Sequence, residues 1–427
     1  MTTNIYWFRQ DLRLGDSPGL LKACESAQQL ILVFIHPARL QGETVWGFAR
    51  TSERRTAHLQ ATLQELRSNI AEHGNQLLEF VGEPAEILKS LADTFAVECV
   101  YCEAIEAPEE RADVTNIESR GLQVVSTWQS TMFDPASLPF APLAMPDIFT
   151  AFRQKIEQSG ATPREPLAAP TRLPPPPLGL ERAKDRDALG KHITTEPAGE
   201  ATAHRSVTAY FSTEHPLHYK QTRNQLMGAH YSTRLSVWLA SGAISAATAY
   251  QTLKQYEIKS GSNDSTYWIF FELLWRDYFR FLHLKYGRKL YLRNGLRHEP
   301  SAQLPARQEP NIEQAKLLSW TNAQTPNDFV NAGMTELTET GYLSNRMRQV
   351  VASYLIYDLE VDWRAGAAWF ESQLLDFDIY SNQGNWLYIA GCGTDPRGGR
   401  RMNMQKQIQE HDPDGLYRKH WGTLDNT

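Results

Sequence analysis

A change of hydrophobic period part-way along this chain limits its fold more than any other feature. Up to residue 130, short apolar runs suited to strands alternate with amphipathic runs suited to helices. The strand-like runs are NIYWFRQ (4–10), LILVFIHP (30–37), VECVYCE (97–103) and LQVVSTWQS (122–130), with helical spacing over 47–74 and 83–96 between them. Such alternation predicts an open parallel sheet buried on both faces, a Rossmann-like α/β domain over residues 1–130. From 204 to 427 only the helical period remains, as in YWIFFELLWRDYFRFLHLKYG and NRMRQVVASYLIYDL, which predicts an all-α domain. Residues 131–203 contain REPLAAPTRLPPPPLGLE. Four successive prolines deny a long helix, so this stretch reads as an interdomain linker. At 427 residues the chain also exceeds one ordinary core.

Composition narrows the function classes. No stretch of 18 apolar residues occurs, so no membrane-spanning helix and no membrane partner are expected, and no secretory signal is visible at the start. The cysteines are Cys24, Cys99, Cys102 and Cys392. The CVYC pair lacks a second pair or a histidine cluster, so core thiols in a reducing, cytoplasmic setting are expected rather than a zinc site. A net charge of -6 argues against a wholly basic nucleic-acid binder but leaves room for a local positive groove.

Residues with chemistry to offer concentrate in the helical half. Ser232, Thr233, Arg234, Leu235 and Ser236 open a helix, where free N–H groups and hydroxyls suit a phosphate; simple capping is the other reading. Tyr219 would join such a site if spatially near. Glu272 and Arg276 are four apart and can pair on one helix face. Trp275 offers a flat ring beside a carboxylate, which suits a heterocyclic base. GYLSNRMRQVVASYLIYDLEVDW (341–363) crowds Asn345, Arg346, Arg348 and Gln349 into one helical turn, like the rim of a deep cavity. Its arginines could neutralise a diphosphate or pair with acids farther on. Asp376 and Asp378 are such acids, with Asn382 following; they could instead accept from a ring system or a ribose. Too few companion acids stand nearby for a Mg²⁺ site. Arg397, Arg400, Arg401 and Lys406 make a basic segment, either solvated surface or a strip for phosphates. Trp363 and Trp386 read as core rings. By residues alone, the helical domain holds a polar, charged pocket fit for a large phosphate-bearing cofactor.

Taken in order, YWFRQDLRLGD (6–16), YSTRLSVWLASG (231–242), FELLWRDYFRF (271–281), the run from TGYLSNRMRQ to SNQGNW (340–386) and DPDGLYRKHW (412–421) resemble the landmarks of the photolyase/cryptochrome family over nearly the whole chain. MPDIFTAFR (145–153), Gln349, DPRGGRRMN (395–403) and Tyr388 resemble its DASH branch. The resemblance implies a U-shaped FAD in the helical domain. Tyr219 and Ser232 to Ser236 would cradle it, chiefly its phosphates, and Arg276 would brace the flavin site. Asn345 would lie between adenine and lesion. Arg348 would pair with Asp376 beside the isoalloxazine, Asp378 would accept from the flavin or ribose side, and Asn382 would sit near N5. Glu272 and Trp275 would face a cyclobutane pyrimidine dimer flipped into the pocket, split by light-driven electron transfer from reduced FAD. Trp386 and Trp363 would be the inner two members of the photoreduction chain. A folate antenna, 5,10-methenyltetrahydrofolate, would sit between the domains near Glu103, Glu106, Glu109 and Glu110.

The chain departs from the family pattern in places. No outer tryptophan is evident upstream of Trp320, and Asn331 replaces an aspartate landmark in AQTPNDFVNAGMTEL. Gln349 stands for methionine and Tyr388 for tryptophan of the duplex-repair enzymes. In the DASH branch this goes with repair of single-stranded or locally unpaired DNA, where no base pair must be opened. The expectation is a deoxyribodipyrimidine photo-lyase-like enzyme with Glu272, Trp275, Asn345, Gln349 and Tyr388 at the lesion, Arg397, Arg400, Arg401 and Lys406 on DNA, and no obligate protein partner. The alternative is a DNA-binding blue-light photoreceptor with a regulatory role and little or no repair. The long tail typical of signalling cryptochromes is not seen after Trp421, which favours the first.

Overall fold

The structure, a computed structural model, describes residues 1–183, 198–297 and 308–423. Part of the proline-rich stretch (184–197) and ten residues upstream of Trp320 (298–307) lie outside the described residues. Five parallel strands make one sheet: β1 (Thr3–Phe8), β2 (Gln29–Pro37), β3 (Leu77–Gly82), β4 (Val97–Glu103) and β5 (Gln123–Thr127), in the order β3-β2-β1-β4-β5. Helices α1 (Pro18–Ser26), α2 (Glu53–Glu72), α3 (Pro84–Phe95) and α4 (Pro108–Ser119) form the crossovers. Alternate side chains enter two cores. Tyr6, Phe8, Leu30 and Leu32 fill one face, and Ile5, Trp7, Ile31, Val33 and Val100 the other, as a parallel sheet covered on both sides requires. Cys99 and Cys102 are buried on β4. The edge strand β3 was not expected from the sequence. Glu79 interrupts its apolar run, and the charge is tolerated because His36 and Arg67 pair with it at the sheet edge.

The rest is helical: α5 (Phe149–Ser159), α6 (Glu200–Phe211), α7 (Tyr219–Thr222), α8 (Leu235–Ser241), α9 (Ala246–Ser260), α10 (Asp264–Tyr286), α11 (Pro310–Thr321), α12 (Asp328–Thr340), α13 (Asn345–Tyr357), α14 (Trp363–Gln373), α15 (Ile379–Ala390), α16 (Met404–His411) and α17 (Leu416–His420). The stretch 131–203 is therefore more than extended chain: α5 lies inside it, and Met132, Phe133, Phe149, Phe152 and Ile156 join the core of the helical domain. The long α10 opens on a reciprocal cap between Asn263 and Thr266. Ser344, Asp362 and Asp378 cap α13, α14 and α15 through their side chains, each cap worth about 1 kcal/mol. These three helices pack on one another, and the starts of α13 and α15 come to one region. Asn331 proves well suited to its loop. Its Oδ1 accepts from the Thr325 amide (2.9 Å) and hydroxyl (2.7 Å), and its Nδ2 donates to the Thr325 carbonyl (2.8 Å). An aspartate could not make that last bond.

The two domains dock through the chain before and within α2. The Ser52 amide donates to the Ser372 carbonyl (2.9 Å), Arg50 pairs with Glu371 (3.1 Å), and Arg55 donates to the Glu371 carbonyl (2.5 Å). Among the described residues no helix is long and apolar enough to cross a membrane.

Candidate functional site

A cavity of about 480 Å³ opens between α8, α10, α13 and α15, a volume typical of ligand sites. It gathers Tyr219, Ser232, Thr233, Arg234, Leu235, Ser236, Glu272, Trp275, Arg276, Asn345, Arg348, Gln349, Asp376, Asp378, Asn382, Trp386, Tyr388 and Arg400. Residues up to 181 positions apart in sequence thus meet on one surface. Trp363, Arg397, Arg401 and Lys406 are not part of its lining.

Two ion pairs frame the cavity, each with one partner buried, Asp376 in the first and Arg280 in the second. Arg348 holds both oxygens of Asp376 (2.9 and 2.7 Å) and donates from Nε to the Leu343 carbonyl (3.0 Å). Burial works against the Arg348 charge, but Asp376 outweighs it and the pKa rises. Asp378 caps α15 by accepting from the Ser381 amide (2.8 Å) and pairs with Arg280. Burial opposes its charge too, yet Arg280 and then Arg276 hold its carboxyl well below the usual range. Arg280 was not singled out from sequence. The signal was there: an arginine inside the apolar run YFRF must find a partner when buried.

The expected Glu272–Arg276 pair does not form. Glu272 takes Arg223, whose guanidinium also stands 4.4 Å over the Trp268 ring. Arg276 instead donates to the carbonyls of Ser130 and Leu239, and burial, then Arg280, lower its pKa to about 10. Helical spacing made the pair available, but both residues sit on a helix packed on several sides and each meets a partner from another segment. Arg346 likewise turns from the cavity, donating to Gln349 (3.5 Å) and Asn224 (3.4 Å). Arg234 begins α8 in the left-handed region (φ 51°), without a side-chain cap. Its guanidinium lies 3.9 Å from the Tyr342 ring and 5.1 Å from Tyr231. Neither Arg234 nor Arg276 has an ion-pair partner among the described residues.

The lining carries five arginines (Arg223, Arg234, Arg276, Arg348, Arg400) against three carboxylates (Glu272, Asp376, Asp378), leaving two positive charges among the described residues. Trp386 is buried, meets Phe370 edgewise at 5.1 Å and Trp320 at 6.4 Å, and its Nε1 has no hydrogen-bond partner. Asn382 is fixed by a bond from Nδ2 to the Ala367 carbonyl (3.0 Å). Trp363, also buried, donates to the Arg293 carbonyl (2.9 Å). At the mouth, the Tyr388 hydroxyl accepts from Arg397 and Arg400, both at 2.8 Å, and Asp395 pairs with the same two arginines. Arg401 and Lys406 are exposed, with Asp358 and Glu410 at 3.8 and 3.7 Å.

A profile of DNA photolyase matches residues 4–174, and one of the FAD binding domain of DNA photolyase matches 268–423. A cryptochrome DASH of Synechocystis sp. is 38% identical over 433 residues, spanning 98% of this chain and 87% of that protein. The chain belongs to the photolyase/cryptochrome family, in its DASH branch. The crystal structure of a Synechocystis sp. cryptochrome superposes with a TM-score of 0.89 at 37% identity, over 99% of this chain and 88% of the other. A bacterial class III photolyase from Agrobacterium tumefaciens shares the fold at 24% identity, with a TM-score of 0.79 over 99% of this chain and 86% of that one. As a DASH-type member the protein is an FAD protein, and its cavity suits that cofactor. Two uncompensated positive charges match a diphosphate, the α8 start offers amides and hydroxyls, and the unpartnered Trp386 Nε1 and Tyr231 hydroxyl are polar atoms awaiting a partner.

Proposed function

We propose that this protein repairs cyclobutane pyrimidine dimers in single-stranded or locally unpaired DNA in a light-dependent reaction. The observation that supports this reading is that Glu272, Trp275, Asn345, Gln349 and Tyr388, from three helices, line the same cavity as the groups suited to FAD. FAD, when bound, supplies the light-excitable electron donor. The chain's residues do the rest. Ser232 to Ser236 and Arg234 hold the diphosphate, with Tyr219 beside them. The Arg348–Asp376 and Arg280–Asp378 pairs, with Arg276, would brace the walls around the flavin ring, and Asn382 would offer its amide to it. Asn345 bridges cofactor and lesion. Trp275 supplies a stacking face, and Glu272 a polar edge contact. Trp386 and Trp363 would be the protein's relay for electrons supplied by an external reductant to the flavin when it is bound. Arg397 and Arg400, pre-set by Tyr388 and Asp395, and the exposed Arg401 and Lys406 meet the phosphates.

Strand preference follows from cost. Extracting a dimer from duplex DNA costs a few kcal/mol of pairing and stacking. Gln349 and Tyr388 bring amide and hydroxyl groups where an apolar wall would return more of that cost. An unpaired strand needs no such return. The folate antenna is a different matter. Glu109 spends its carboxylate on Arg39 and Arg50, and Glu106 pairs with Arg111. Glu103 and Glu110 are enclosed, each with one unpartnered oxygen. The two unpartnered oxygens are acceptors of the kind that the N–H groups of a pterin would need, so Glu103 and Glu110 rather than Glu106 and Glu109 are the candidates to meet a folate antenna, and no step of the proposal passes through one.

The deciding experiment illuminates the reduced protein with a dimer-bearing oligonucleotide, single-stranded and duplex, and counts restored thymines. Repair of the single strand well above the duplex is expected. No repair of either would refute the enzyme and leave a photoreceptor.

A further inference from the structure

We propose that Phe149 is a positioning residue for base recognition, backing Trp275 so that its indole meets an unpaired base already flat and fixed. The inference rests on the reading that Trp275 faces the dimer, and it names the element that orients it. The Phe149 ring lies on Trp275 with centroids 3.7 Å apart and planes 13° from parallel. Trp275 lines the cavity and Phe149 does not, so Phe149 covers the indole face turned away from the ligand. Three further rings crowd the indole. Tyr278 meets it at 5.5 Å and 89°, Tyr388 at 5.7 Å and 79°, and Phe279 at 5.4 Å. A dimer base entering from the cavity would complete a stack of three rings.

The backing ring is tied to the helix that carries Trp275. Just before α5, Asp147 receives the Tyr278 hydroxyl at its carbonyl, and its carboxylate accepts from Lys285 (2.6 Å) and Tyr286 (2.5 Å). Lys285 also donates to the Met145 carbonyl (2.8 Å). Tyr278, Lys285 and Tyr286 all lie on α10, so Phe149 and Trp275 move as one frame. Stacking on an aromatic platform contributes to binding only after the ordering of that platform is met. A ring already clamped between neighbours loses little freedom when the base arrives. Without Phe149, the indole can tilt into the vacated space, and a near-parallel stack with the base is no longer the default geometry.

The test uses the FAD-loaded protein and a single-stranded oligothymidylate bearing one thymine dimer. Phe149→Leu keeps an apolar side chain of lesser bulk but removes the flat ring; Phe149→Tyr keeps the ring. For Phe149→Leu, KM and the dissociation constant should rise about 10-fold while kcat stays within about two-fold, the span expected when a stacking platform loses its order. Flavin content should stay as in the parent, and Phe149→Tyr should restore affinity. Parent-like affinity in Phe149→Leu alongside weakened binding in Trp275→Ala overturns the inference and leaves the function standing. Parent-like binding in Trp275→Ala as well removes the reading on which it rests. A fall in flavin content and kcat with KM unchanged makes Phe149 a packing residue only, which also overturns it.

Discussion

Replacing Asp277 with asparagine should make the protein more stable, and increasingly so as pH rises. Asp277 is fully buried on α10. Its Oδ2 accepts from the amides of Met132 (2.9 Å) and Phe133 (3.2 Å), while Oδ1 has no hydrogen-bond partner. The nearby guanidiniums are engaged elsewhere, Arg280 with Asp378 and Arg276 with backbone carbonyls. Burial therefore prevails over Arg276 and the two amides, and the carboxyl is pushed up to about 7. The unfolded chain releases that proton near 3.9. Between these values the folded state binds more protons than the unfolded, so stability falls as pH rises. The penalty approaches about 4 kcal/mol by pH 8, and roughly 3 kcal/mol of it builds up between pH 5 and pH 8. Asparagine keeps an oxygen for the two amides and carries no charge to bury. Glu103 and Glu336 are also pushed up to about 7 by burial, so the parent's own pH profile mixes several protons and the difference between parent and variant isolates one. At about 2–4 °C per kcal/mol for a domain of this size, the melting-temperature advantage of Asp277→Asn should widen by about 6 °C or more from pH 5 to pH 8. An advantage that stays constant over this range would show that Asp277 holds no extra proton, and the reasoning fails.

Other perturbations separate the roles of the site. Asp376→Asn leaves the half-buried Arg348 guanidinium without its carboxylate and should cost about 1–3 kcal/mol, read as a lower melting temperature together with less flavin per protein. Gly366→Ala puts a methyl against the Trp386 ring and Leu355, an overpacking worth roughly 1–3 kcal/mol. It should slow photoreduction of oxidised flavin while repair by chemically pre-reduced protein is retained. Gln349→Met should raise duplex repair relative to single-strand repair in the same illumination assay; an unchanged ratio would remove Gln349 from strand preference.

How far the sequence discloses this molecule depends on whether a feature is local. The β–α alternation, the helical half and the helical runs that begin just after Ser232 and at Asn345 are local patterns, and each appears in the structure where the periodicity places it. The strand β3 escaped because Glu79 breaks its pattern, and only the partners His36 and Arg67, 43 and 12 positions away, make that charge harmless. Helix α5 hid beside a run of prolines that commands attention for extended chain. Pairings failed for a related reason. The spacing of Glu272 and Arg276 states which side chains can reach each other, not which nearer partner the fold supplies. Arg223, Arg280 and Phe149 act through contacts made 49, 98 and 126 positions away, and no window along the chain contains both ends.

The turn Asp376–Phe377–Asp378 shows why the site is polar yet stable. α14 has ended at Gln373 and α15 begins at Ile379, so these three residues are free of helical spacing. The two carboxylates serve different helices, Asp376 meeting Arg348 of α13 and Asp378 meeting Arg280 of α10. Between them Phe377 lies under the guanidinium of Arg55, 4.6 Å from the ring centroid, and Arg55 comes from α2 of the sheet domain. Three helices and the other domain thus fix one short turn. Burying either arginine alone would be prohibitive, and each acid removes that cost while its own desolvation is met by the pair and, for Asp378, the start of α15. Because both acids are engaged in this way, neither makes a direct ion pair with Arg234 or Arg276. The excess of two positive charges in the cavity is therefore a consequence of how the walls are braced, and it is this excess that suits the site to a diphosphate rather than to a neutral ligand of the same size.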